Sequence, residues 1–576
     1  MGSFLRRALA VVRWGAVVAS LVTSACAPQA PPGGPPTQPT PRPAPGAEAV
    51  EAAEIVVAGG PIVGAPGVTA LALRGGRIVA AGDANAVARF RGPRTRWIDL
   101  EGRSVAVALT DAHAHLVGLG LQLEQADVRN CSSADDCAAK AAAHKGGRGG
   151  WVLGAGWDQN RFPDKALPHR RALDAVLPDR PVWLERVDAH AGWANTAALK
   201  AAGVTRATPD PPGGRIVRDA KGEATGVLVD AATALVDRIV PAVDEAAREQ
   251  AIERAQALAL SKGLTEVHEM GADAETVATF RRLERDGRLK LRVLAYASGG
   301  SEAARASLFA RSPDPPRPGA FFRLGGIKIY ADGALGSRGA ALLAPYSDEP
   351  EHRGLVITDP SALEDAARRA LASGWQLAVH AIGDRANRAV LDAFERAGCR
   401  RGRDVRFRIE HAQIIDPADL PRFAGLGVLA SMQPTHATSD MPWASTRLGP
   451  QRLAGAYAWR SLLTSGAHLP AGSDAPVEAI DPVFGLYSFV TRQDHEGKPP
   501  GGWLPAERLR LDEAARAFGE EAAFAAFEER WRGRAAEGMA ADVTVFDRRL
   551  DEANPASIRD ARVRLTIVGG KIAFEL

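Results

Sequence analysis

The sequence predicts an α/β protein: a TIM-type (β/α)8 barrel with an inserted subdomain after strand 1 and a small β-sandwich formed from both chain ends. Three observations carry this. Apolar β-branched runs alternate with Ala-, Arg- and Glu-rich helical patterns, as parallel βα units do, and eight strand candidates begin near Ser104, Gly263, Leu291, Arg323, Trp375, Val405, Val428 and Ala467. Five of these runs end in or carry a group suited to metal chemistry: His113 and His115 in TDAHAH, Lys328 in GIKIYADG, His380 in LAVHAIGD, His411 in RIEHAQ and Asp474 in PAGSDAP. A barrel gathers such side chains at the C-terminal ends of its strands. Finally, Gly-punctuated β-rich stretches occur at both ends of the folded region, and neither could form a respectable sheet alone.

Taken in order, residues 1–26 read as an export signal of the bacterial lipoprotein type. Arg6, Arg7 and Arg13 precede an apolar stretch, and the small residues Ser24 and Ala25 lead to Cys26, the expected lipidation site. Thr23 departs from the larger aliphatic residue usual there, and ordinary signal cleavage nearby is the alternative. Residues 27–50, dominated by Pro, Ala, Gly, Gln and Thr, cannot bury enough apolar area to fold and read as a tether. The expectation is therefore an exported protein, lipid-anchored in the periplasm or outer membrane, that touches the membrane through its anchor alone. In such a compartment Cys131 and Cys137, flanking CSSADDC, are expected to form a disulfide, and Cys399 to stay a buried thiol.

Residues 51–102 and 541–576 supply the β-sandwich, and residues 103–120 with 241–540 supply the barrel. The stretch 121–240 is too long for a loop and reads as the inserted subdomain. It carries WVLGAGWDQNRFP and WLERVDAHAGWANTAAL, which place Trp157, Asp158 and His190 as candidate substrate contacts covering the barrel mouth; packing within the subdomain is the plainer role for Trp157 and Trp193. Net charge is only +3, from 71 basic and 68 acidic residues, which gives no electrostatic footprint for nucleic acid. The basic run CRRGRDVRFR reads as a solvated turn. No oligomeric state is read from the sequence.

In an extended strand the side chains at i and i+2 share a face, so His113 and His115 can grip one ion together. The motifs DAHAH, GWDQN, RVDAH with WANTAAL, KIYADGALGSRGA, HAIGDRAN, RIEHAQ, SMQPTHATSD and AGSDAP, in this order, resemble the amidohydrolase superfamily, and more closely its amidohydrolase-3 branch of YtcJ-like and N-substituted formamide deformylase-like proteins. The resemblance spans Glu54 to Leu576; one departure is ALTDAHAH, where many relatives carry Pro-Gly before the Asp.

On that footing His113 and His115 would hold one divalent ion, His380 and His411 a second, and Asp474 would ligate the first and act as general base. Imidazole and carboxylate suit zinc best, although iron, manganese, cobalt and nickel also fit the donor types. Lys328, driven neutral beside cations, could add CO₂ and bridge both ions as a carbamate, a modification the resemblance supports; an unmodified Lys328 beside a single zinc is the alternative. Gln433 and His436, after strand seven, are candidate substrate contacts, and His268, Glu269, Arg338 and Asp384 are weaker supporting candidates. The expected activity is hydrolysis of an amide-type C–N bond of a small molecule. An esterase or lactonase, or a non-catalytic surface binding lipoprotein, remain the alternatives.

Overall fold

The computed structural model describes residues 51–576 apart from 187–190, 213 and 337. The signal, the tether, Cys26 and His190 lie outside the described residues.

Strands β1 (Ile55–Ala58), β2 (Ala70–Arg74), β3 (Arg77–Gly82) and β4 (Arg96–Asp99) form one sheet in the order β3-β2-β1-β4. The apolar run after it does not make the single barrel strand that its pattern suggests. It divides into β5 (Val105–Val107) and β6 (Thr110–Ala114), with Ala108 between them in the left-handed region at φ 56°. The Ala108 amide donates to Asp542, while the Thr110 amide donates to Phe518. Both halves are buried, so periodicity alone could not separate them; only their hydrogen-bond partners do.

Strands β7 (Ala126–Asp127), β8 (Val152–Trp157), β9 (Val182–Arg186), β10 (Ala191–Ala194), β11 (Gly214–Arg218) and β12 (Ala224–Asp230) form a separate six-stranded sheet in the order β11-β12-β10-β9-β8-β7. Cys131 and Cys137 are disulfide-bonded beside it, with Cα atoms 5.1 Å apart.

The barrel continues with β13 (Glu266–Ala272), β14 (Arg292–Ser298), β15 (Phe322–Tyr330), β16 (Gln376–Ala381), β17 (Arg408–His411) and β18 (Leu429–Ser431), all parallel with β6 in one seven-stranded sheet. The eighth position, near Ala467, is not a regular strand. Pro470 lacks the amide a ladder needs. The segment still closes the sheet: Met432 donates to Pro470 and Gly472 to Met432 on one side, and Ala112 to Ala471 and Asp474 to His113 on the other. Gly472 is required there, because a Cβ would lie 2.4 Å from the His113 amide nitrogen and 2.6 Å from Asp111 Oδ1. That close approach brings Asp474 alongside β6.

Strands β19 (Val543–Phe546), β20 (Val563–Val568) and β21 (Lys571–Glu575) take in β5 to give the order β21-β20-β19-β5. Ile55, Val57, Leu71 and Leu73 from the first sheet share one apolar core with Val105, Val543, Val545 and Ile567 from this one, so the two sheets pack face to face; the first sheet is built from N-terminal residues alone, which corrects the expectation that neither end could form a sheet by itself. Among the described residues no helix is long and apolar enough to cross a membrane.

Candidate metal centre

The C-terminal ends of the barrel strands deliver His113 from β6 and His115 just after it, Lys328 and Tyr330 from β15, His380 from β16 and His411 from β17. The helix Pro434–Leu448 contributes His436, and the closing segment contributes Asp474. All eight line one cavity of about 420 Å³. The ring centroid of His411 is 4.8 Å from that of His113, 4.6 Å from His380 and 5.8 Å from His436. Asp474 Oδ1 lies 3.2 Å from His115 Nε2 and 3.4 Å from His113 Nε2, and its Oδ2 lies 3.7 Å from His436 Nε2. Lys328 Nζ is 3.3 Å from His113 Nε2.

Two of these residues sit in strained backbone: His411 at φ 74° and Asp474 at φ 62° are non-glycine residues in the left-handed region. Such geometry costs of the order of 1–3 kcal/mol and persists only where the surroundings over-determine it. Here it turns both side chains inward where their segments end.

Burial and neighbouring charge favour the neutral form of His113, His380 and His411, with lone pairs available. His113 is lowered to about 4 by burial and by Lys328, and His380 to about 3 for the same two reasons. His411 is driven well below its usual range, first by burial and then by the surrounding imidazoles. His115 goes the other way: burial would lower it, but its bond to Asp474 raises it. Burial also depresses the Lys328 ammonium, to about 8, although Glu410 and Asp474 oppose the change. Asp474 would be raised by burial, yet His113, His115 and His436 hold it far below the usual carboxylate range.

The polar atoms around the cluster are not all satisfied. His380 Nε2, His411 Nδ1 and His436 Nε2 are buried with no hydrogen-bond partner, a condition that costs free energy unless something completes it. His113, His115 and Asp474 place one donor atom each within 4.8 Å of one another, and so do His411, His436 and Asp474. The second group contains His436, read from sequence as a substrate contact, and lacks His380. His380 instead lies 3.6 Å from Asp332, a buried carboxyl that accepts from the Ile382, Gly383 and Ala341 amides and ties the loop after β15 to the one after β16. Burial pushes Asp332 up to about 7 against those three bonds.

Other sequence candidates fall elsewhere. Trp157 is fully buried, donates to the Leu184 carbonyl and meets Trp193 edge-on at 6.3 Å. It packs the inserted subdomain and does not line the cavity, because its strand turns it into that core. Asp158 is 3.3 Å from Arg186 and is not among the residues that line the cavity. Gln433 is buried at the start of the helix, its amide nitrogen 3.3 Å from the Ser431 carbonyl, and it too is absent from the lining. Arg338 pairs with Asp348, Asp384 accepts from the Leu343 amide, and Glu269 accepts from the Leu116 amide.

Sequence reading missed the residue that orients His113. Glu410 accepts from His113 Nδ1 at 2.7 Å and is paired through both oxygens with the fully buried Arg408. Burial alone would raise Glu410, but Arg408 and His113 hold it far below the carboxylate range. Arg408 also reaches His268 Nδ1, the Tyr296 hydroxyl, the Ala112 carbonyl and Ser431. The run CRRGRDVRFR is thus a solvated turn only in its first half. The signal was the alternation of Arg408 and Glu410 on one inward strand face. Asp111 was also missed; it accepts from the His113 and Ser473 amides and fixes the closing segment to β6.

The amidohydrolase family model matches residues 96–574. The chain belongs to the amidohydrolase family. Within it, the chain is 35% identical over 500 residues to YtcJ of Bacillus subtilis (strain 168), covering 84% of this chain and 92% of that protein. It is 29% identical over 525 residues to N-substituted formamide deformylase of Arthrobacter pascens, covering 88% and 95%. Among solved structures, an uncharacterized metal-dependent hydrolase from Pyrococcus furiosus superposes with a TM-score of 0.70 at 29% identity, over 86% of this chain and 99% of that one. The fold of this amidohydrolase family member therefore has a counterpart over nearly the whole described length.

Proposed function

We propose that the protein is a metal-dependent hydrolase that cleaves an amide-type C–N bond of a small molecule. One observation carries this: five imidazoles, a lysine and three carboxylates, Asp474 among the imidazoles, line a single cavity, and three of the imidazole nitrogens are buried without a partner. Neutral imidazoles and an ionised carboxylate are the donor set of divalent zinc, so the residues present fit such a cation. His113, His115, His380 and His411, with Asp474, would hold one or two, and the His411–His436–Asp474 grouping makes His436 a further donor. A divalent cation there supplies Lewis acidity toward a carbonyl and acidifies water toward neutral pH.

The chain's own residues do the remaining work. Asp474, kept ionised by the imidazoles around it, accepts the proton of the attacking water and returns it to the leaving nitrogen. Glu410 fixes the His113 tautomer by accepting from Nδ1, which aims Nε2 into the site. The lowered Lys328 ammonium releases its proton readily; as a free amine it can form an N–C bond to CO₂ and present two carbamate oxygens. The N-substituted formamide deformylase and the metal-dependent hydrolase among the relatives support the C–N assignment and the metal requirement. The Cys131–Cys137 disulfide supports an exported location.

The test is metal analysis of the purified protein together with a panel of formamides, N-acyl amines, cyclic ureides and matched esters. We expect one or two equivalents of bound metal, turnover of amides that a chelator abolishes and zinc restores, and weaker turnover of esters. A protein with no metal, or one that turns over only esters, would refute the proposal.

A further inference from the structure

The cavity extends outward from the imidazoles along the helix Pro434–Leu448. His436, Asp440 and Trp443 are spaced four and three residues apart, so they share one helix face, and all three line the cavity together with Glu478. Asp440 lies one turn beyond His436, about 6 Å along the axis. Its Oδ2 accepts from Gln413 Nε2 at 3.0 Å, itself part of the lining, and from the Tyr457 hydroxyl, which together fix its position. Glu478 accepts from Ser439 at 2.6 Å; burial raises the Asp440 carboxyl, against His436 and the two bonds it accepts, and the Glu478 charge raises it further.

Among the described residues, neither carboxylate forms an ion pair with a lysine or arginine. The cavity's described lining contains one such residue, Lys328, which is at the far end among the imidazoles. Asp440 and Glu478 repel each other across a part-buried space in which His436 is the basic group that acts on Asp440, and the Trp443 ring, with the Arg447 guanidinium 5.9 Å from its centroid, lines the same space. His411 and His436 line the same space and each keeps one buried nitrogen without a hydrogen-bond partner, as a cavity that receives a ligand does.

We propose that Asp440, with Glu478, determines substrate specificity: the substrate carries a positively charged amine group that rests against Asp440 about one helical turn from the scissile bond, and an analogue with a free carboxylate there is rejected. This rests on the reading of the site as an amide hydrolase. Like-charge juxtaposition supplies the rejection and charge pairing the acceptance.

Two measurements test it separately from that reading. The first is turnover of three acetamides of matched length ending in an ammonium, a methyl or a carboxylate. The ammonium compound should exceed the carboxylate one in kcat/KM by at least about tenfold, and in Asp440→Asn that ratio should fall to within about threefold of unity. The second is calorimetric binding of choline against its neutral isostere 3,3-dimethylbutan-1-ol, whose hydroxyl meets any metal equally well. Choline should bind at least about tenfold more tightly, and both Asp440→Asn and Glu478→Gln should shrink the preference. If none of the acetamides is hydrolysed, the hydrolase reading fails while the binding pair still judges the inference. Equal binding of the two isosteres to the unaltered protein, or a choline preference that survives in both variants, overturns the inference whatever the turnover.

Discussion

The two ends of the barrel both bury charge, and they do so in opposite ways. At the base, Arg532 pairs with Glu266 at 2.6 Å and with Asp542 at 2.9 Å, Arg292 pairs with the same Asp542 at 2.9 Å, and these four side chains are almost fully buried. At the mouth, His380, His411 and His436 line a cavity, and each keeps one buried nitrogen without a hydrogen-bond partner. Paired charges hold elements together, even where Glu266 and Arg532 Nη1 meet as an ion pair outside hydrogen-bond geometry; they tie β13 and β14 of the barrel to the residue that leads into β19 of the sandwich. An open network is a site awaiting a ligand. Arg408 and Glu410 stand between the two, with one hand on His268 toward the base and the other on His113 at the mouth.

The comparison breaks most visibly at Asp474. Asp474→Asn should keep the fold, read by circular dichroism, and lose at least about a hundredfold in kcat, because the amide can neither take nor return the proton. At the junction, Glu410→Gln should act on both ends at once. It leaves Arg408 buried without its counter-charge, a loss of about 3–5 kcal/mol in urea unfolding, and it loosens His113, lowering metal affinity by about 10–100-fold in a chelator competition.

Asp542→Asn should act on the base alone, costing about 3 kcal/mol of stability at neutral pH with turnover kept. Its pH dependence has a definite sign. Burial opposes the Asp542 charge, but Arg292 and Arg532 outweigh it and pull the carboxyl from 3.8 to about 2. A depressed carboxyl stabilises the fold above its unfolded value, and that stability is lost as pH falls through the folded value. The gap between the natural protein and the variant should therefore be constant above about pH 4 and narrow toward about pH 2 in acid-unfolding titrations. The smallest effect is expected at Trp157→Phe: KM should change by less than about twofold and stability by about 1 kcal/mol, as for a volume-reducing change in a core that does not touch the substrate. A large KM change would return Trp157 to the cavity wall.

Much of the site was legible in the sequence because metal-suited donors at strand ends recur with the βα period. His113, His115, Lys328, His380, His411 and Asp474 were found that way, and all of them meet in one cavity. What escaped were groups whose meaning depends on a partner far along the chain. Glu410 is an ordinary strand residue until His113 lies 2.7 Å away, and Asp440 and Trp443 are ordinary helix residues until their face lines the cavity. Trp157 misled for the converse reason, since a Trp-rich motif does not say which way its strand faces.

By itself the sequence determined the order of βα units, the pairing of the two β-rich ends and the chemical identity of the donors, because hydrophobic period and residue type are local properties of the chain. Only the tertiary structure decided where the run from Ser104 to Leu109 breaks, how an irregular segment around Gly472 closes the barrel, and which buried polar atoms are satisfied. Those are set by hydrogen bonds and charge pairs between residues hundreds of positions apart, and no local pattern records them.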